Sequence, residues 1–294
     1  MALRAYGWNA LIALLARLPQ GALSRATGRL ADLRIPRPLR APLLGAFARA
    51  AGIDTSEAEH APAEYDSLDA FFVRRLRPGA RTWPADPDTV TSPVDGIIGP
   101  SGRIEDGHII QAKRRTYTVA DLLDDEDVAS RCEGGAFLTI YLSPRHYHRV
   151  HAPLAGSVRR VRHVPGALLP VNPPAMERVP GLFPHNERLI CPLESGLGEV
   201  SVVAVGAYNV GRITVAFDDA IRTNRKGAAR ATHTYDPPVA LERGDELLAF
   251  HLGSTVVLVF ERERVRLMEP LAVGQEIRLG QPIGRPWHGG ITTA

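Results

Sequence analysis

Apolar residues recur at helical spacing near the start of the chain. The first apolar stripe consists of Trp8, Leu11, Leu15 and Leu18. It predicts an amphipathic helix that ends near Pro19, followed by two weaker amphipathic stretches over residues 21–33 and 39–51. The apolar run of the first helix is about a dozen residues long, whereas a bilayer requires about 20. The pattern therefore predicts helices that either lie on a membrane or pack as a cap on the rest of the protein.

The pattern changes near Thr91 to short β-prone runs separated by glycine and proline. These runs cover residues 137–142, 200–205, 212–217 and 255–261. The acidic segment 121–127 predicts a short helix or loop with a solvated face. We therefore expect an α+β protein, in which N-terminal helices are followed by a mainly antiparallel, β-rich body of sandwich- or barrel-like form.

Composition places the chain among soluble globular proteins. Of its 294 residues, 45% are hydrophobic and 23% are charged, which disfavours both disorder and a polytopic membrane protein. The formal net charge is +3, but the arginines are interspersed with Asp and Glu and no nucleic-acid-binding motif is present. We therefore expect no nucleic-acid partner, and the same charge suits a surface of anionic lipids.

Cysteine usage and the N-terminus indicate the compartment. Cys132 and Cys191 lie far apart without CxxC spacing, so neither a disulfide framework nor a zinc site is indicated. Arg4 ahead of an apolar run also resembles a secretory signal. No small-x-small cleavage site follows, however, and Arg17 interrupts the run. A reducing compartment is the simpler expectation.

Three of the ten histidines cluster in the segment 141–153, which leaves a β-prone run at a Ser-Pro pair. His148 and His151 have the wrong spacing for one face of a strand, and no nearby carboxylate or thiolate completes a metal-ligand set. General acid-base chemistry suits these side chains better, because the pKa of imidazole lies close to working pH. We therefore expect no metal site.

Asp95 and the Gly253-Ser254 bond are two further candidates for a chemical role, although each also has a simple structural interpretation. Asp95 lies between proline and glycine in the segment Ser-Pro-Val-Asp-Gly, where an aspartate often only caps its own turn. The Gly253-Ser254 bond directly precedes the β-prone run that starts at Thr255, and a tight turn is the simplest interpretation. A Gly-Ser bond in a strained turn is also what internal acyl transfer requires, since an unhindered glycine carbonyl lies beside a hydroxyl.

Taken together, these motifs resemble the phosphatidylserine decarboxylase family, of the bacterial and mitochondrial type with an LGST processing motif. Here that motif is Leu252-Gly253-Ser254-Thr255. The resemblance also covers Phe71-Phe-Val-Arg-Arg75, residues 92–96, residues 141–153, Pro170-Val-Asn172, Asn186-Glu-Arg188 and residues 205–211. Motifs in this order extend over most of the chain.

The resemblance implies a self-cleaving enzyme. Asp95, His151 and Ser254 would form a triad in which Asp95 orients His151 and His151 activates Ser254. Cleavage between Gly253 and Ser254 would leave a large chain (1–253) and a small chain (254–294) that stay associated. Ser254 would become a covalent pyruvoyl group, which serves as the electron sink that decarboxylation of an amino acid needs. His148 would act as acid and base during decarboxylation.

The resemblance also implies a substrate and a location. Phosphatidylserine would be converted to phosphatidylethanolamine and CO₂ at an anionic membrane surface, by a peripheral protein on the cytoplasmic face of the inner membrane. A membrane-associating helical region over 1–60 and a catalytic domain over 61–294 are expected, and a homodimer is compatible with this organisation. Two residues depart from the family pattern: His146 replaces a common aspartate, and Leu248 replaces a common glycine.

Two other functions remain open at this stage. In a noncatalytic, membrane-bound β-rich module, the LGST segment would be only a turn and the chain would stay uncut. A Ser/His/Asp hydrolase acting on a separate substrate is the other alternative, but Ser254 lacks the GxSxG context of such enzymes.

Overall fold

The computed structural model describes residues 20–112, 115–208 and 212–288. The first predicted helix, with its stripe from Trp8 to Leu18, lies outside these residues. Seven α-helices occur in the described chain: α1 (Gln20–Ala31), α2 (Arg37–Ala51), α3 (Leu68–Phe72), α4 (Val119–Leu123), α5 (Glu126–Cys132), α6 (Pro173–Met176) and α7 (Leu182–His185). Two 3₁₀ helices cover Thr55–Glu57 and Pro62–Glu64.

Helices α1 and α2 confirm the two predicted amphipathic stretches. Helix α2 begins after Pro36, whose fixed φ suits a helix start, and ends at Gly52, where φ is +72°. Its Leu44 is buried in a small apolar cluster with Phe71 of α3. The acidic segment 121–127 spans the end of α4 and the start of α5, as a short helix with a polar face would.

Seventeen strands make up most of the described body. They are β1 (Val90–Thr91), β2 (Gly96–Arg103), β3 (His108–Ala112), β4 (Arg115–Thr118), β5 (Ala136–Leu142), β6 (Arg149–His151), β7 (Gly156–Val164), β8 (Arg188–Ser195), β9 (Gly198–Val205), β10 (Arg212–Val215), β11 (Asp218–Arg222), β12 (Ala231–Leu241), β13 (Glu246–His251), β14 (Ser254–Phe260), β15 (Val265–Leu267), β16 (Glu276–Ile277) and β17 (Pro282–Pro286). The predicted run 212–217 ends two residues early, because Val215 already pairs with Asp218 across a tight turn.

Antiparallel pairing joins these strands into an open eight-stranded sheet in the order β12-β7-β8-β9-β14-β5-β2-β16. A four-stranded sheet has the order β11-β10-β13-β6, and smaller sheets contain β1-β17-β15 and β3-β4. This arrangement confirms the expected α+β class with a mainly antiparallel β body.

The central strands of the eight-stranded sheet are buried on both faces, as β14 illustrates. Val256 and Leu258 face an apolar cluster that includes Leu248 and Phe250 of the four-stranded sheet. Val257 and Val259 face the opposite cluster, which includes residues of α4, α5 and α7. A strand covered on both sides needs apolar residues at every position rather than alternating ones, which explains the continuous run in the sequence.

The segments of Asp95, His148 and Ser254 lie at one edge of the eight-stranded sheet, meaning the side where β2, β8 and β14 begin and where β5 and β9 end. A single row of paired residues crosses five strands through Ile97, Tyr141, Thr255, Val205 and Arg188. Neighbouring strands lie about 4.8 Å apart, so this row is only about 20 Å long. Ser254, which pairs with Leu142, lies one residue closer to the edge. Asp95 directly precedes β2, so it emerges at this edge together with the loop 143–148.

Within the residues that the structure describes, no helix combines the length and apolar composition needed to cross a membrane.

Candidate functional site

The Gly253-Ser254 bond follows an unusual turn. Leu252 has a φ of +81° and Gly253 has a φ of +60°, so two successive residues adopt left-handed backbone conformations. This region suits glycine but is unfavourable for leucine, because the Cβ atom approaches the following carbonyl oxygen. The turn links β13 in one sheet to β14 in another, and both strands are fixed by pairing. The backbone is therefore strained immediately before Ser254.

A second Gly-Ser bond provides a contrast within the same sheet. Gly156 is the first residue of β7 and pairs with Ser195, so Gly156-Ser157 lies in extended strand. The two bonds have the same side chains but different backbone conformations. The turn, rather than the dipeptide, therefore distinguishes the position of Ser254.

His148 is fully buried close to this turn. Its carbonyl oxygen accepts a hydrogen bond from the Phe250 amide at 2.9 Å, two residues before Leu252. Its Nδ1–H donates to the His146 carbonyl oxygen at 2.8 Å, which leaves Nε2 with an unprotonated lone pair. Among the described residues, that Nε2 has no hydrogen-bond partner. A buried polar atom without a partner is costly, so this nitrogen is a strong candidate for contact with a substrate.

The surroundings of His148 keep it neutral. The Phe72 ring lies with its centroid 4.1 Å from that of the imidazole. Burial, reinforced by the positive charge of Arg74, lowers the pKa of His148 to about 3. Arg74 is itself buried, with its guanidinium carbon 5.6 Å from the centroid of the Phe71 ring. Nε2 of His148 is therefore unprotonated at neutral pH and can accept a hydrogen bond.

Acid should consequently destabilise the fold through His148. Because its folded pKa lies below the unfolded value of about 6.5, the unfolded chain binds the extra proton. The contribution is complete above pH 6.5 and is lost as the pH falls towards 3. Between pH 7 and pH 5 we expect a loss of about 2 kcal/mol in the free energy of unfolding from this side chain.

Urea denaturation at both pH values would measure this loss, in a Ser254→Ala background that keeps one uniform chain. His148→Gln, which cannot titrate, should reduce the acid sensitivity by that amount. An equal loss of stability with and without His148 would contradict the assignment.

His151 is held by two neutral groups. Its Nδ1–H donates to the Gly244 carbonyl oxygen at 2.7 Å, and its Nε2 accepts from the Tyr147 hydroxyl at 3.0 Å. Burial lowers the pKa of His151, while hydrogen bonding to Gly244, the charge of Glu246 and, to a smaller extent, the charge of Asp95 act in the opposite direction. Burial also raises the pKa of Tyr147, so its hydroxyl remains a donor. His151 is therefore a neutral imidazole with Nε2 as its basic nitrogen.

Asp95 is engaged by an arginine rather than by His151. Its carboxylate accepts two hydrogen bonds from Arg81, one of them at 3.0 Å, and one from the Leu279 amide at 2.8 Å. Arg81 also contacts Glu57 at 2.9 Å. The connection to His151 runs through the backbone, since the His151 amide donates to the Pro93 carbonyl oxygen at 2.9 Å. Asp95 and His151 are thus neighbours, but their side chains bond to other groups.

The departure at His146 has a structural explanation. Nδ1 of His146 accepts a hydrogen bond from the Ser143 amide at 2.9 Å, while its own amide donates to the Ser143 carbonyl oxygen at 3.0 Å. An aspartate oxygen commonly accepts such an amide hydrogen in a turn. His146 therefore closes the turn that a carboxylate would otherwise close. Leu248, the other departure, is fully buried in β13 and belongs to the core.

The structure brings Asp95, His148 and Ser254 to one edge of the eight-stranded sheet and places His151 beside Asp95 through the backbone. Sequence reasoning did not identify Arg81, Tyr147, Gly244, Arg74 or His251 as part of these surroundings. Phe71-Phe-Val-Arg-Arg75 was recognised as a motif and does supply Phe72 and Arg74 around His148. Across residues 20–112, 115–208 and 212–288, no group of three or more His, Cys, Asp or Glu side chains is arranged to hold a metal ion.

The fold and this site define a β-rich enzyme, with neutral buried histidines around a strained Gly-Ser turn. The family model described as phosphatidylserine decarboxylase matches residues 68–285. The chain belongs to the phosphatidylserine decarboxylase family, whose members are carboxy-lyases.

Curated relatives cover nearly the whole chain. A protein from Anaeromyxobacter sp. (strain K), named phosphatidylserine decarboxylase proenzyme, is 48% identical over 274 residues, which cover 93% of this chain and 97% of the relative. Proteins with the same name from Myxococcus xanthus and Azotobacter vinelandii are 42% and 43% identical, each over 91% of this chain and 95% of the relative. The family expected from the motifs is therefore confirmed.

Proposed function

We propose that this protein decarboxylates phosphatidylserine to phosphatidylethanolamine, using a pyruvoyl group that it makes from its own Ser254. The observation that carries the proposal is the left-handed Leu252-Gly253 turn before Ser254, next to the buried segment of His148, in a chain of this family. In this proposal the chain is cut into residues 1–253 and 254–294, which remain associated through strand pairing. Both neighbours of β14 belong to the larger chain, so the small chain stays within the sheet.

Self-cleavage would begin with proton transfer. Nε2 of His151 would take the proton of the Ser254 hydroxyl, and the oxygen would attack the Gly253 carbonyl carbon. The peptide C–N bond then breaks, the nitrogen takes up the proton, and an ester joins the two residues. Removal of the Ser254 α-proton expels the Gly253 carboxylate, and water converts the remaining dehydroalanine to pyruvoyl with loss of ammonia.

Asp95 would assist His151 through its negative charge, which favours the protonated imidazole. Direct hydrogen bonding would require His151 and Asp95 to exchange their present partners, Gly244 and Arg81. The strained turn supports the same step. Breaking the bond after Gly253 relieves a conformation that leucine and glycine hold only while both strands anchor them.

The residues near the turn fit a pyruvoyl group and an amino-acid headgroup, because Nε2 of His148 is buried and has no partner within the described chain. When formed, the pyruvoyl group supplies the electron sink for the electron pair left by CO₂. His148 would accept a proton from the substrate ammonium group and later donate a proton to the carbon that loses CO₂. A bound anionic substrate would raise the low pKa of His148 and so help it to hold that proton.

The location of the substrate suggests how the N-terminal helices contribute. Leu30 and Leu33 lie at the end of α1 and Leu39 and Leu43 on α2, and all four are about half exposed or more. Arginines at positions 29, 34 and 37 are exposed beside them. Exposed leucines with adjacent arginines suit the interface of an anionic bilayer. We therefore assign residues 1–60 to membrane docking and 61–294 to catalysis, on the cytoplasmic face of the inner membrane.

A cavity of about 440 Å³ lies between α1 and the sheet edge that contains Ser254. Arg25 and Arg225 contribute to its lining, together with Leu168 and Glu187. Arginine is well suited to phosphate. The two arginines therefore suit this cavity to an anionic group such as the phosphate of a lipid headgroup.

Docking can be tested with Leu39→Glu combined with Leu43→Glu. We expect this variant to bind anionic vesicles at least about tenfold more weakly, since two apolar side chains are lost and two negative charges face anionic lipid. Ile110→Glu is the matched control, because Ile110 is as exposed as Leu39 but lies in β3, which packs against β2 and β4. Vesicle cosedimentation gives the measurement. Equal weakening by both variants, or by neither, would contradict docking through α2.

The proposed function is tested by incubating the purified protein with vesicles containing carboxyl-labelled phosphatidylserine. Released labelled CO₂, together with a denatured mass spectrum of two chains split at Gly253-Ser254, would support it. A single uncut chain that releases no CO₂ would favour the noncatalytic module. Serine or fatty acid released in place of CO₂ would indicate a hydrolase.

A further inference from the structure

His251 is the last residue of β13 and lies only three positions before Ser254. It is 9% exposed, and both of its ring nitrogens are engaged. Nδ1 lies 2.8 Å from each carboxylate oxygen of Asp69, and Nε2 lies 3.2 Å from the Thr214 hydroxyl. Two opposed hydrogen bonds fix the rotation of the imidazole. The chain therefore enters the strained turn from an immobilised residue.

Asp69 is in turn held by other charges. It lies in α3, is 6% exposed, and accepts a hydrogen bond from Arg212 at 2.9 Å. Arg212 pairs in register with His251 and also contacts Asp32 at the end of α1, at 2.8 and 3.0 Å. The hydrogen bond with Asp32, together with the charge of Asp69, raises the pKa of Arg212, so this arginine stays charged. The Asp69 carboxylate therefore lies between Arg212 and His251 and is hydrogen-bonded to both.

The turn after His251 needs such an anchor. Leu252 and Gly253 are both left-handed, and they connect two different sheets with only two residues. A left-handed leucine returns readily to ordinary backbone angles unless its ends are held. Ser254 is held by pairing with Leu142 on one side. On the other side, His251 is held by the pairing of β13 with β10 and, in addition, by the hydrogen bonds of its side chain.

We propose that the His251–Asp69 pair is a positioning element for self-cleavage: it holds the N-terminal side of the turn so that Leu252 and Gly253 keep the left-handed backbone from which the Gly253-Ser254 bond is cleaved. The inference rests on the proposed function. His251 does not take part in proton transfer. It acts through the backbone of the turn, and Asp69 acts through His251.

The test follows cleavage of full-length chain made by cell-free translation. After synthesis is stopped, the fraction of uncut chain is measured over time on denaturing gels. Asp69→Asn and His251→Leu should each slow cleavage about tenfold or more, because each removes a charge-assisted hydrogen bond. The double variant should be little slower than either single one, since both remove the same anchor.

Glu199→Gln is the matched control. Glu199 is a similarly buried carboxylate that contacts Arg131 at 3.1 Å, and it lies near the opposite end of β14, where Val259 pairs with Ser201. This variant should lower the thermal unfolding midpoint, as Asp69→Asn does, but cleave at the wild-type rate. His251→Gln retains a donor for Asp69 and should cleave within about threefold of wild type, as a partial rescue of His251→Leu.

The outcomes separate this inference from the proposed function. A wild-type chain that never cleaves would reject the proposed function itself. A cleaving wild type with Asp69→Asn and His251→Leu at unchanged rates would overturn the positioning role, as would equal slowing by Glu199→Gln. If Asp69→Asn is insoluble, His251→Leu compared with His251→Gln decides, since only the leucine variant loses the donor to Asp69. Slower cleavage of the leucine variant would support the proposal, and equal rates would overturn it.

Discussion

Replacing Ser254 by alanine is expected to abolish cleavage and leave one chain of 31.9 kDa. The hydroxyl is the proposed nucleophile, and neither water nor Thr255 can form the ester that precedes elimination. Because no pyruvoyl group can then form, decarboxylation should fall to background, a loss of at least about 10⁴-fold. A denatured mass spectrum and release of labelled CO₂ measure the two effects. Partial cleavage with Ser254→Cys would show that a weaker substitute nucleophile can act at the same turn.

Ser157→Ala is the control for this prediction. It changes the serine of the other Gly-Ser bond, which lies in extended strand at the beginning of β7. This variant should be cut between Gly253 and Ser254 at the wild-type rate. Cleavage of Ser254→Ala at the same bond would exclude Ser254 as the nucleophile. Loss of cleavage in both variants would indicate a general folding effect.

His148→Gln should separate processing from turnover. Glutamine fills similar space but cannot take up and release a proton, so decarboxylation should fall by about 10²- to 10⁴-fold. Cleavage should persist, because the proposed base for that step is His151. The variant is expected to show two chains in a mass spectrum, a normal pyruvoyl end on the small chain, and little release of CO₂.

His108→Gln is the matched control, since His108 is exposed in β3. It should retain both cleavage and decarboxylation. Loss of cleavage in His148→Gln, to the same degree as in His151→Gln, would mean that the two histidines act in one step. Full turnover by His148→Gln would remove it from the reaction and leave its unpartnered Nε2 without a role.

Local patterns in the sequence predicted helices α1 and α2 and four strands, β5, β9, β10 and β14. The stretches 21–33 and 39–51 became α1 and α2, and the apolar run after Thr255 became β14. The Gly-Ser position and the clustered histidines also stood out, because glycine, serine and imidazole have chemistry that short segments reveal. The sequence did not reveal the left-handed backbone of Leu252 or the neutral state of His148. Both depend on strands and side chains that lie far away in the sequence.

The sequence by itself determined the family, the helices α1 and α2, the β-rich class of the body and the residues able to carry the chemistry, since periodicity and motif order are properties of neighbouring positions. Only the tertiary structure decided the partners of those residues. Asp95 meets Arg81 and, through it, Glu57, while His251 meets Asp69 across 182 positions of the chain. Such pairs follow from strand register and from how α3 packs against the sheets. The free energy that selects this packing comes from burial of the whole core, so no local segment contains it.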